Sequence, residues 1–374
     1  MKTLFSLTTL ITILFTSCSS PRQHLLYVGT YSENNSEGIY CYNFQDETGE
    51  LTPVMSTPNQ ENPSYLAIAP NNEFLYAVSE VKESPEIDSG SVTAYQIQPS
   101  GKLIKINQQA TKGYHPCHVA VSPDGKFVVA SNYTSGNLSI FDIAADGGLS
   151  ESFQQIQHEG SGPNQDRQQS PHAHSALFDQ SGELLISADL GTDKIEFYQY
   201  DGTHNTFTEA AQASVAMAPG SGPRHFDFSP DGQFIYVMNE MSATVSVLQK
   251  VGPEFQLIET VSSLPDDFDG IKAGADIHLS KDGRFVYCSN RGHNSIAVFK
   301  RASDGKITLI ENEPVQGDWP RNFVISPDGE FLLVANRRTN NIALFKIDKT
   351  SGELNFTGKT IDVPNPVCLK FLLR

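Results

Sequence analysis

The chain has 374 residues, 39% of them hydrophobic, with 43 acidic against 26 basic residues and a formal net charge of −17. So negative a mean field repels nucleic acids and anionic lipid surfaces, and we expect no nucleic-acid partner. The 28 glycines, 21 prolines and 22 phenylalanines favour a turn-rich, aromatic β protein over a helical one.

The N-terminal residues have the pattern of an export signal. Lys2 precedes an apolar stretch from Leu4 to Phe15, which is too short to span a bilayer, since spanning takes about 20 residues. The sequence LFTSC, which ends at Cys18, resembles the lipobox of bacterial lipoproteins, although Phe15 replaces the usual aliphatic residue. We expect 1–17 to be a signal peptide and Cys18 to carry a lipid, the only predicted membrane contact, in the periplasm or at the cell surface. The alternatives are an ordinary cleaved signal and a short anchor.

Four further cysteines, Cys41, Cys117, Cys288 and Cys368, show no metal-site spacing, because none forms a C-x-x-C pair or stands beside a histidine at ligand spacing. The repeats described below assign them to separate blades, and we interpret them as packed thiols. The chain also lacks a phosphate-binding Gly-x-x-x-x-Gly-Lys loop, a dinucleotide fingerprint and a calcium loop. The sequence therefore predicts neither a metal ion nor another cofactor.

One sequence unit recurs along the chain. It consists of an alternating apolar strand, a turn of the form Ser-Pro-Asp-Gly, a second strand that ends in a polar residue, and a third strand, as in HVAVSPDGKFVVASNYTSGNLSIF. The second turn positions recur every 46–57 residues, at Asn72, Gly125, Gly182, Gly232, Gly283 and Gly329. An Asp-Gly turn between alternating runs is a hairpin signal, and a period of this length indicates a solenoid, a propeller or an array.

A second turn of Gly-x-Leu type, as at Gly101, opens a fourth strand, and four antiparallel strands per unit are typical of a propeller blade. The terminal units are incomplete, since 25–44 contains a second and a third strand without a first, and 366–373 reads as a lone first strand. The sequence therefore predicts an all-β fold, a seven-bladed β-propeller of four-stranded antiparallel blades, with its ring closed by pairing of the N- and C-terminal strands.

We expect 18–374 to form a single propeller domain. Length alone would allow two or three domains, but large all-β folds often form a single domain. The 357 residues after the signal also correspond to 51 residues for each of seven blades. Three stretches exceed what a blade needs, at 82–90, 158–170 and 262–274. They are rich in glycine, proline, serine or acidic residues, and we expect loops or lids there.

The innermost strand of each blade lines the channel of a propeller, so one repeat position from every blade converges on the axis. The first turn residue is the one directly before each second turn position, as Asp124 is before Gly125. Counting back seven residues from it gives Ser64, Cys117, His174, Arg224, Ala275 and Arg321. Counting back six gives Tyr65, His118, Ser175, His225, Asp276 and Asn322. A structural ring would be small and repetitive, whereas these positions carry titratable groups that differ between blades.

The residues predicted to close the second strands form another ring, which contains Thr30, Glu80, Asn132, Asp189, Glu240, Asn290 and Asn336, with Arg291 next in the chain. One channel mouth should then hold His172 or His174, Arg224, His225, Glu240, Arg291 and Arg321, so that acid, base and anion-binding groups are all available. The asparagines and Asp189 also have a structural interpretation, as partners of backbone groups at strand ends. His172 and His174 alternate on a strand and should point to opposite faces, which argues against a metal site.

Six short motifs, in order along the chain, resemble the seven-bladed lactonase family, which includes bacterial 6-phosphogluconolactonases of propeller type and fungal carboxymuconate cyclases. They read HAH, ADLGTD, GPRHF, NE, SNRG and PRNF and begin at His172, Ala188, Gly222, Asn239, Ser289 and Pro320. In the cyclase branch a histidine, two arginines and a glutamate are proposed to act. The resemblance assigns these catalytic roles to His174 (or His172), Arg224, Arg291 and Glu240. Asp276 stands where the family often has glutamate.

The resemblance implies hydrolysis of a lactone to a sugar acid. Glu240 or His174 would activate water as a base, and Arg224 and Arg291 would stabilise the oxyanion or hold a phosphate or carboxylate. Substrate binding would fall to His172, His225, Asp276 and Arg321. An exported protein should rarely meet phosphorylated gluconolactone, a cytosolic intermediate, so an unphosphorylated sugar lactone is a possible substrate. Two alternatives stay open: a ligand-binding propeller without turnover, and a muconate-type cyclase or lyase that clamps a dicarboxylate.

Overall fold

The structure is a computed structural model that describes residues 23–84 and 86–373. Residues 1–22, with the predicted signal peptide and the predicted lipidation site at Cys18, lie outside the described residues. The described residues contain 28 β-strands and no α-helix, so none of their segments is a helix long and apolar enough to cross a membrane.

The strands form seven antiparallel sheets of four, which are the blades. The bounds are β1 Gln23–Thr30, β2 Ile39–Gln45, β3 Leu51–Thr57, β4 Leu66–Ile68, β5 Phe74–Ser79, β6 Ser91–Ile97, β7 Leu103–Ala110, β8 Pro116–Val121, β9 Phe127–Asn132, β10 Asn137–Asp142, β11 Gln154–Gln157, β12 Ala173–Phe178, β13 Leu184–Asp189, β14 Lys194–Asp201, β15 Thr206–Ala216, β16 Pro223–Phe228, β17 Phe234–Asn239, β18 Thr244–Val251, β19 Glu254–Ser262, β20 Gly274–Leu279, β21 Phe285–Asn290, β22 Ser295–Arg301, β23 Ile307–Pro314, β24 Pro320–Ile325, β25 Phe331–Asn336, β26 Asn341–Ile347, β27 Leu354–Asp362 and β28 Pro366–Leu372. From the channel outward the sheets read β28-β1-β2-β3, β4 to β7, β8 to β11, β12 to β15, β16 to β19, β20 to β23 and β24 to β27.

The first strands of neighbouring sheets contact one another all the way round, including β24 with β28 and β28 with β4, so they form a closed inner ring. The closing blade pairs β28 with β1 in an antiparallel register that runs from Leu25 opposite Leu372 to Thr30 opposite Pro366. The predicted seven-bladed architecture and its closure by the two terminal strands are therefore confirmed. Closure also pairs β1 on both sides, with β28 and with β2, so the N-terminal strand has no unpaired edge.

Successive blades are joined by apolar packing and by a recurring hydrogen bond. In four blades a buried tyrosine of the second strand donates its hydroxyl to the carbonyl of a Gly-x-Leu turn glycine in the next blade, as Tyr27 does to Gly101 at 2.8 Å and Tyr287 to Gly352 at 2.9 Å. Such a turn needs glycine, because Gly352 has φ +84° and a Cβ there would lie 2.3 Å from the Phe285 ring. The repeat thus encodes both the blade and its fit to the next one.

A β-bulge near the start of the inner strand recurs in six blades and positions the site. The pairing skips one residue between Ala173 and Ser175 in β12, and one between Pro223 and His225 in β16, with equivalent shifts in β8, β20, β24 and β28. The skipped residues include His174, Arg224 and Arg321. A bulge breaks the regular alternation and re-aims its side chain, so these positions leave the packed faces of the blade.

All four cysteines of the described residues are buried, and none of them is in a disulfide. They are packed thiols, as the sequence predicted. Their assignment to separate blades was wrong for one pair, because Cys41 on β2 and Cys368 on β28 share the closing blade. The C-terminal strand completes the N-terminal sheet and so brings the two ends of the chain together.

Candidate active site at one mouth of the channel

The inner strands occupy equivalent places in their blades and run in the same direction, so their first residues gather at one end of the channel. Four guanidinium groups and two carboxylates meet there, from Arg167, Arg224, Arg291, Arg321, Glu80 and Glu240, and we call this end the arginine mouth. Four cations against two anions leave a surplus of two positive charges, in a chain whose net charge is −17. A positive cluster on such a background is a local feature of this mouth rather than a result of composition.

Glu240 is the centre of the arginine mouth. Its Oε2 lies 3.0 Å from Nε of Arg224 and 2.8 Å from Nη2 of Arg291, and its Oε1 lies 2.7 Å from Nη2 of Arg167. Burial would raise the pKa of this carboxyl, but the three guanidinium groups outweigh burial and hold the pKa well below its usual range. Glu240 is therefore ionised at any ordinary pH.

The structure corrects the predicted ring that contained Glu240. The second strands end at Ser79 and Asn239, so Glu80 and Glu240 each follow the closing residue rather than being it. They therefore share a repeat position with Tyr31, Tyr133, Leu190, Arg291 and Arg337. The true closing residues have structural roles. For example, the side-chain amide of Asn290 donates a hydrogen bond to the Ser263 carbonyl at 2.9 Å.

Arg224 lies beneath Glu240 and is only 1% exposed. Its Nη1 donates to the Ala275 carbonyl at 2.7 Å and lies 3.3 Å from Nε2 of His225. With Nε on Glu240, this guanidinium has three contacts, which come from the residue after β17, from β20 and from its own strand β16. Arg224 therefore holds the Glu240 carboxylate in position from the buried side of the mouth.

Arg321 is the most loosely paired guanidinium of the mouth. Its Nη2 lies 3.8 Å from Oε2 of Glu80, and the group stacks over the Tyr31 ring at 5.4 Å from the ring centroid. Glu80 itself accepts hydrogen bonds from the Tyr31 hydroxyl at 3.0 Å and from the Ser64 hydroxyl. Arg321 thus keeps donors that an incoming anion can use.

His172 and His174 both contact the ring of Tyr133. The His172 ring stacks on it with 4.5 Å between the ring centroids, and the His174 ring meets it edge-on with 5.5 Å between the centroids. The prediction that they face opposite ways was wrong, because His174 is the bulged residue of β12 and leaves the alternation. Burial, followed by the nearby Arg224, lowers the pKa of His174 well below 6.5, so the imidazole is neutral at pH 7.

His225 and Asp276 face away from the arginine mouth. Nδ1 of His225 lies 2.6 Å from Oδ1 of Asp276, and both side chains line a cavity at the opposite end of the channel. On its other side His225 meets the mouth, with Nε2 3.3 Å from Nη1 of Arg224 and its ring centroid 5.3 Å from that of His174. The structure thus brings together His172, His174, Arg224, Glu240, Arg291 and Arg321, while Asp276 contacts the mouth only through His225.

Arg167 and Tyr133 belong to the mouth but were not predicted. Arg167 lies in the 158–170 stretch, and its Nη2 also donates to the Tyr133 hydroxyl at 3.2 Å. That stretch is tied to β13 by buried His158, whose Nδ1 lies 2.7 Å from Oδ2 of Asp189. A comparison of the residues that follow the closing positions in all seven blades would have identified Tyr133. A lone arginine in a predicted lid was the only signal for Arg167.

A seven-bladed propeller whose channel mouth gathers acid, base and anion-binding side chains defines a propeller enzyme of the lactonase class. The family described as lactonase, 7-bladed beta-propeller, matches residues 25–371, and this chain belongs to that family. The 6-phosphogluconolactonase of Bacillus subtilis strain 168 is 40% identical over 354 residues, which cover 94% of this chain and 99% of that protein.

Two further relatives extend the comparison. A 6-phosphogluconolactonase of Formosa agariphila is 35% identical over 307 residues, 80% of this chain and 86% of that one. The solved structure of the Pseudomonas aeruginosa periplasmic gluconolactonase matches with a TM-score of 0.89 at 34% identity, covering 94% of this chain and 99% of that one. The predicted family is therefore confirmed over nearly the whole described chain.

Proposed function

We propose that this protein hydrolyses a sugar lactone to the corresponding aldonic acid in the arginine mouth. The observation that carries the proposal is Glu240 held by three guanidinium groups beside the neutral His174. Lactone opening needs a base for water and positive charge for the developing oxyanion, and this mouth offers both. The names of the relatives, 6-phosphogluconolactonase and gluconolactonase, support the same reaction.

His174 is the better candidate for the base. The three arginines make Glu240 a very weak base, whereas His174 is uncharged and has a free lone pair on one ring nitrogen. The Cys117 thiol lies 3.3 Å from the His174 carbonyl, which accepts its proton, and its sulfur lies 3.7 Å from Nδ1 of the same residue. This arrangement favours a proton on Nδ1 and leaves Nε2 to accept the proton of a water molecule.

In the proposed reaction, water attacks the lactone carbonyl carbon while Nε2 of His174 takes its proton. The carbonyl oxygen becomes anionic next to Arg321 and Arg291, and then the ring C–O bond breaks and the leaving oxygen receives the proton. The new carboxylic acid then loses its remaining proton to solvent, which leaves a hydroxy acid in its carboxylate form. Arg224 is too buried to touch the substrate and instead positions Glu240, which in turn orients Arg291 and Arg167.

The substrate of this proposal is unphosphorylated, and the site of action is outside the cytoplasm. The predicted signal in 1–17 and the predicted lipidation of Cys18 place the enzyme where phosphorylated sugar lactones are scarce. The relative from Pseudomonas aeruginosa is described as periplasmic and as a gluconolactonase, which supports this choice. The predicted partner is thus a small lactone or sugar acid, with the membrane contacted through the lipid alone.

The test is acid release from purified protein, with glucono-δ-lactone, its 6-phosphate and a muconate-type dicarboxylate compared after subtraction of spontaneous hydrolysis. His174→Gln should lower kcat/KM by about 10²- to 10⁴-fold, the usual contribution of a general base. His204→Gln is the matched control, since that side chain lies exposed on the β14–β15 turn. Wild-type rates in His174→Gln would overturn the assignment of the base.

The same panel distinguishes the rival functions. Binding without turnover of any compound would identify a ligand-binding propeller, and turnover of the dicarboxylate alone would identify a cyclase or lyase. Faster hydrolysis of the 6-phosphate would contradict the proposed unphosphorylated substrate but leave the lactonase mechanism intact. Each result therefore selects one class.

A further inference from the structure

A second cavity of about 370 Å³ lies at the end of the channel opposite the arginine mouth. It is lined by the later residues of the inner strands and includes Tyr65, His118, His225, His278 and Lys370, and we call it the histidine cavity. None of the four arginines of the mouth and neither of its glutamates lines it. The two ends of the channel meet where His225 contacts Arg224 and the His174 ring, and where the Ser175 hydroxyl donates to the Arg224 carbonyl.

Two hydrogen-bond donors of this cavity have no partner in the described part of the chain. Lys370 lies with Nζ 4.8 Å from the centroid of the Tyr65 ring, and no described carboxylate is within 4.0 Å of that ammonium group. The Tyr65 hydroxyl has no hydrogen-bond partner among the described residues either. Tyr65 is only 7% exposed and lines the cavity.

His118 supplies a third donor. Its Nδ1 accepts the backbone N–H of Ala176 at 3.5 Å, and its ring packs on Tyr65 with 4.3 Å between the centroids. Burial, followed by the nearby His225, lowers the pKa of His118 well below 6.5, so the ring is neutral. A neutral ring that accepts at Nδ1 carries its proton on Nε2, and Nε2 has no partner among the described residues.

The two carboxylates that line the cavity already have partners, and Asp227 accepts the backbone N–H groups of Phe228 and Leu279 at 2.9 Å each. Asp276 accepts from Nδ1 of His225 at 2.6 Å, from Nε2 of His278 at 3.1 Å and from the backbone N–H of Phe323 at 3.3 Å, and also from the Asn322 amide. Three donors without an acceptor of their own among the described residues therefore border one cavity, an arrangement that suits a ligand that supplies an acceptor.

The balance of charge limits what this ligand is. Among the described residues that line the cavity, Lys370 is the one cation without a carboxylate partner, because His278 is shared between Asp276 and Asp227, which together raise its pKa to about 9 against the effect of burial. A doubly charged phosphate would lie close to Asp227, which also lines the cavity. A single carboxylate can pair with Lys370 and accept from Tyr65, while the apolar wall packs against its carbon chain.

From this geometry we propose that the histidine cavity is a binding site for a small monocarboxylate, separate from the arginine mouth. The carboxylate pairs with the Lys370 ammonium group and accepts hydrogen bonds from Nε2 of His118 and from the Tyr65 hydroxyl. Leu66, Ile277 and Phe371 form the apolar side. The site does not depend on hydrolysis at the other end of the channel.

The experiment uses titration calorimetry of the purified full-length protein with D-gluconate as the probe, and with glucitol and inorganic phosphate as comparisons. The single tryptophan, Trp319, stacks on Arg291 at the arginine mouth, so its emission reports binding at that end. We expect a gluconate-binding component that leaves this emission unchanged. Lys370→Met should weaken that component about tenfold or more, because a charge-assisted hydrogen bond is lost.

Lys346→Met is the matched control, since Lys346 is an exposed lysine on the third strand of a neighbouring blade. Tyr65→Phe, which keeps the ring and its packing, provides a second test and should also weaken the component. Lactone hydrolysis should be unchanged in Lys370→Met. The proposal is overturned if Lys370→Met binds gluconate as tightly as the wild type, if glucitol or phosphate binds at least as tightly, or if all gluconate binding changes the Trp319 emission.

Discussion

Replacement of Glu240 by glutamine tests whether this carboxylate holds the arginine mouth together. The substitution keeps the shape of the side chain but removes the charge that faces Arg224, Arg291 and Arg167 at 2.7–3.0 Å. Removing one partner of a buried ion pair costs about 3–5 kcal/mol, because the other charge stays buried. For a domain of this length we expect the midpoint of thermal unfolding to fall by about 4 to 7 °C.

The effect should depend on pH in a definite direction. The folded-state pKa of Glu240 lies below its ordinary 4.5, so its contribution to stability is present above pH 4.5 and is lost as the pH falls further. The unfolding midpoints of the wild type and Glu240→Gln should thus differ most at pH 7, and the difference between them should decrease as the pH falls below 4.5. Calorimetry over this pH range measures it.

Glu33→Gln is the control for this measurement. Glu33 pairs with Arg337 at 3.3 Å on the surface, where the glutamate side chain is 60% exposed, and exposed pairs contribute about 0–1 kcal/mol. Its midpoint should therefore change little. If Glu240→Gln unfolds within about 1 °C of the wild type at pH 7, Glu240 is not the group that balances the buried guanidinium charges.

Three further predictions concern His174, Arg167 and Cys18. Because His174 must be neutral to act as a base and its pKa lies well below 6.5, the acid limb of a kcat/KM profile should fall below pH 6.5, and a limb centred above that value would contradict this role. Arg167→Met should raise KM for the lactone by about tenfold with little change in unfolding temperature, as measured by kinetics and calorimetry, because the Arg167 side chain is 44% exposed. Cys18→Ala should abolish incorporation of labelled palmitate and release the protein from the membrane fraction; continued labelling would rule out lipidation at Cys18.

The fold could be predicted almost completely because the repeat encodes it in local signals. Each Ser-Pro-Asp-Gly turn fixes a hairpin, as Ser122 shows by accepting the backbone N–H of Phe127 at 2.9 Å and donating to Asp124 at 2.7 Å. The lone strand at 366–373 could be assigned to the N-terminal blade because that blade lacked a first strand. Neither inference needed information about distant contacts.

The site was predicted only in part because two of its features are not local. Strand register placed Arg224 and His174 at the channel, but the bulges that turn them into the mouth leave no signal in the alternating pattern. Arg167 comes from a loop whose path depends on the contact between His158 and Asp189, 31 positions apart. The register count also gives no means to tell the two ends of the channel apart, which is why it assigns His225 to the mouth and groups Asp276 with Arg321 as substrate-binding.

The role of Glu240 follows from where its three partners originate. Arg224 comes from the inner strand of one blade, Arg291 from the end of a second strand in the next, and Arg167 from the long loop before β12. Without a shared anion these like charges would repel one another, since they meet in a largely buried site. An incoming carboxylate or oxyanion has to share donors that Glu240 already uses, so a product acid is held less tightly than four guanidinium groups alone would hold it. In the proposed reaction we therefore expect the glutamate that assembles the mouth also to favour release of the product.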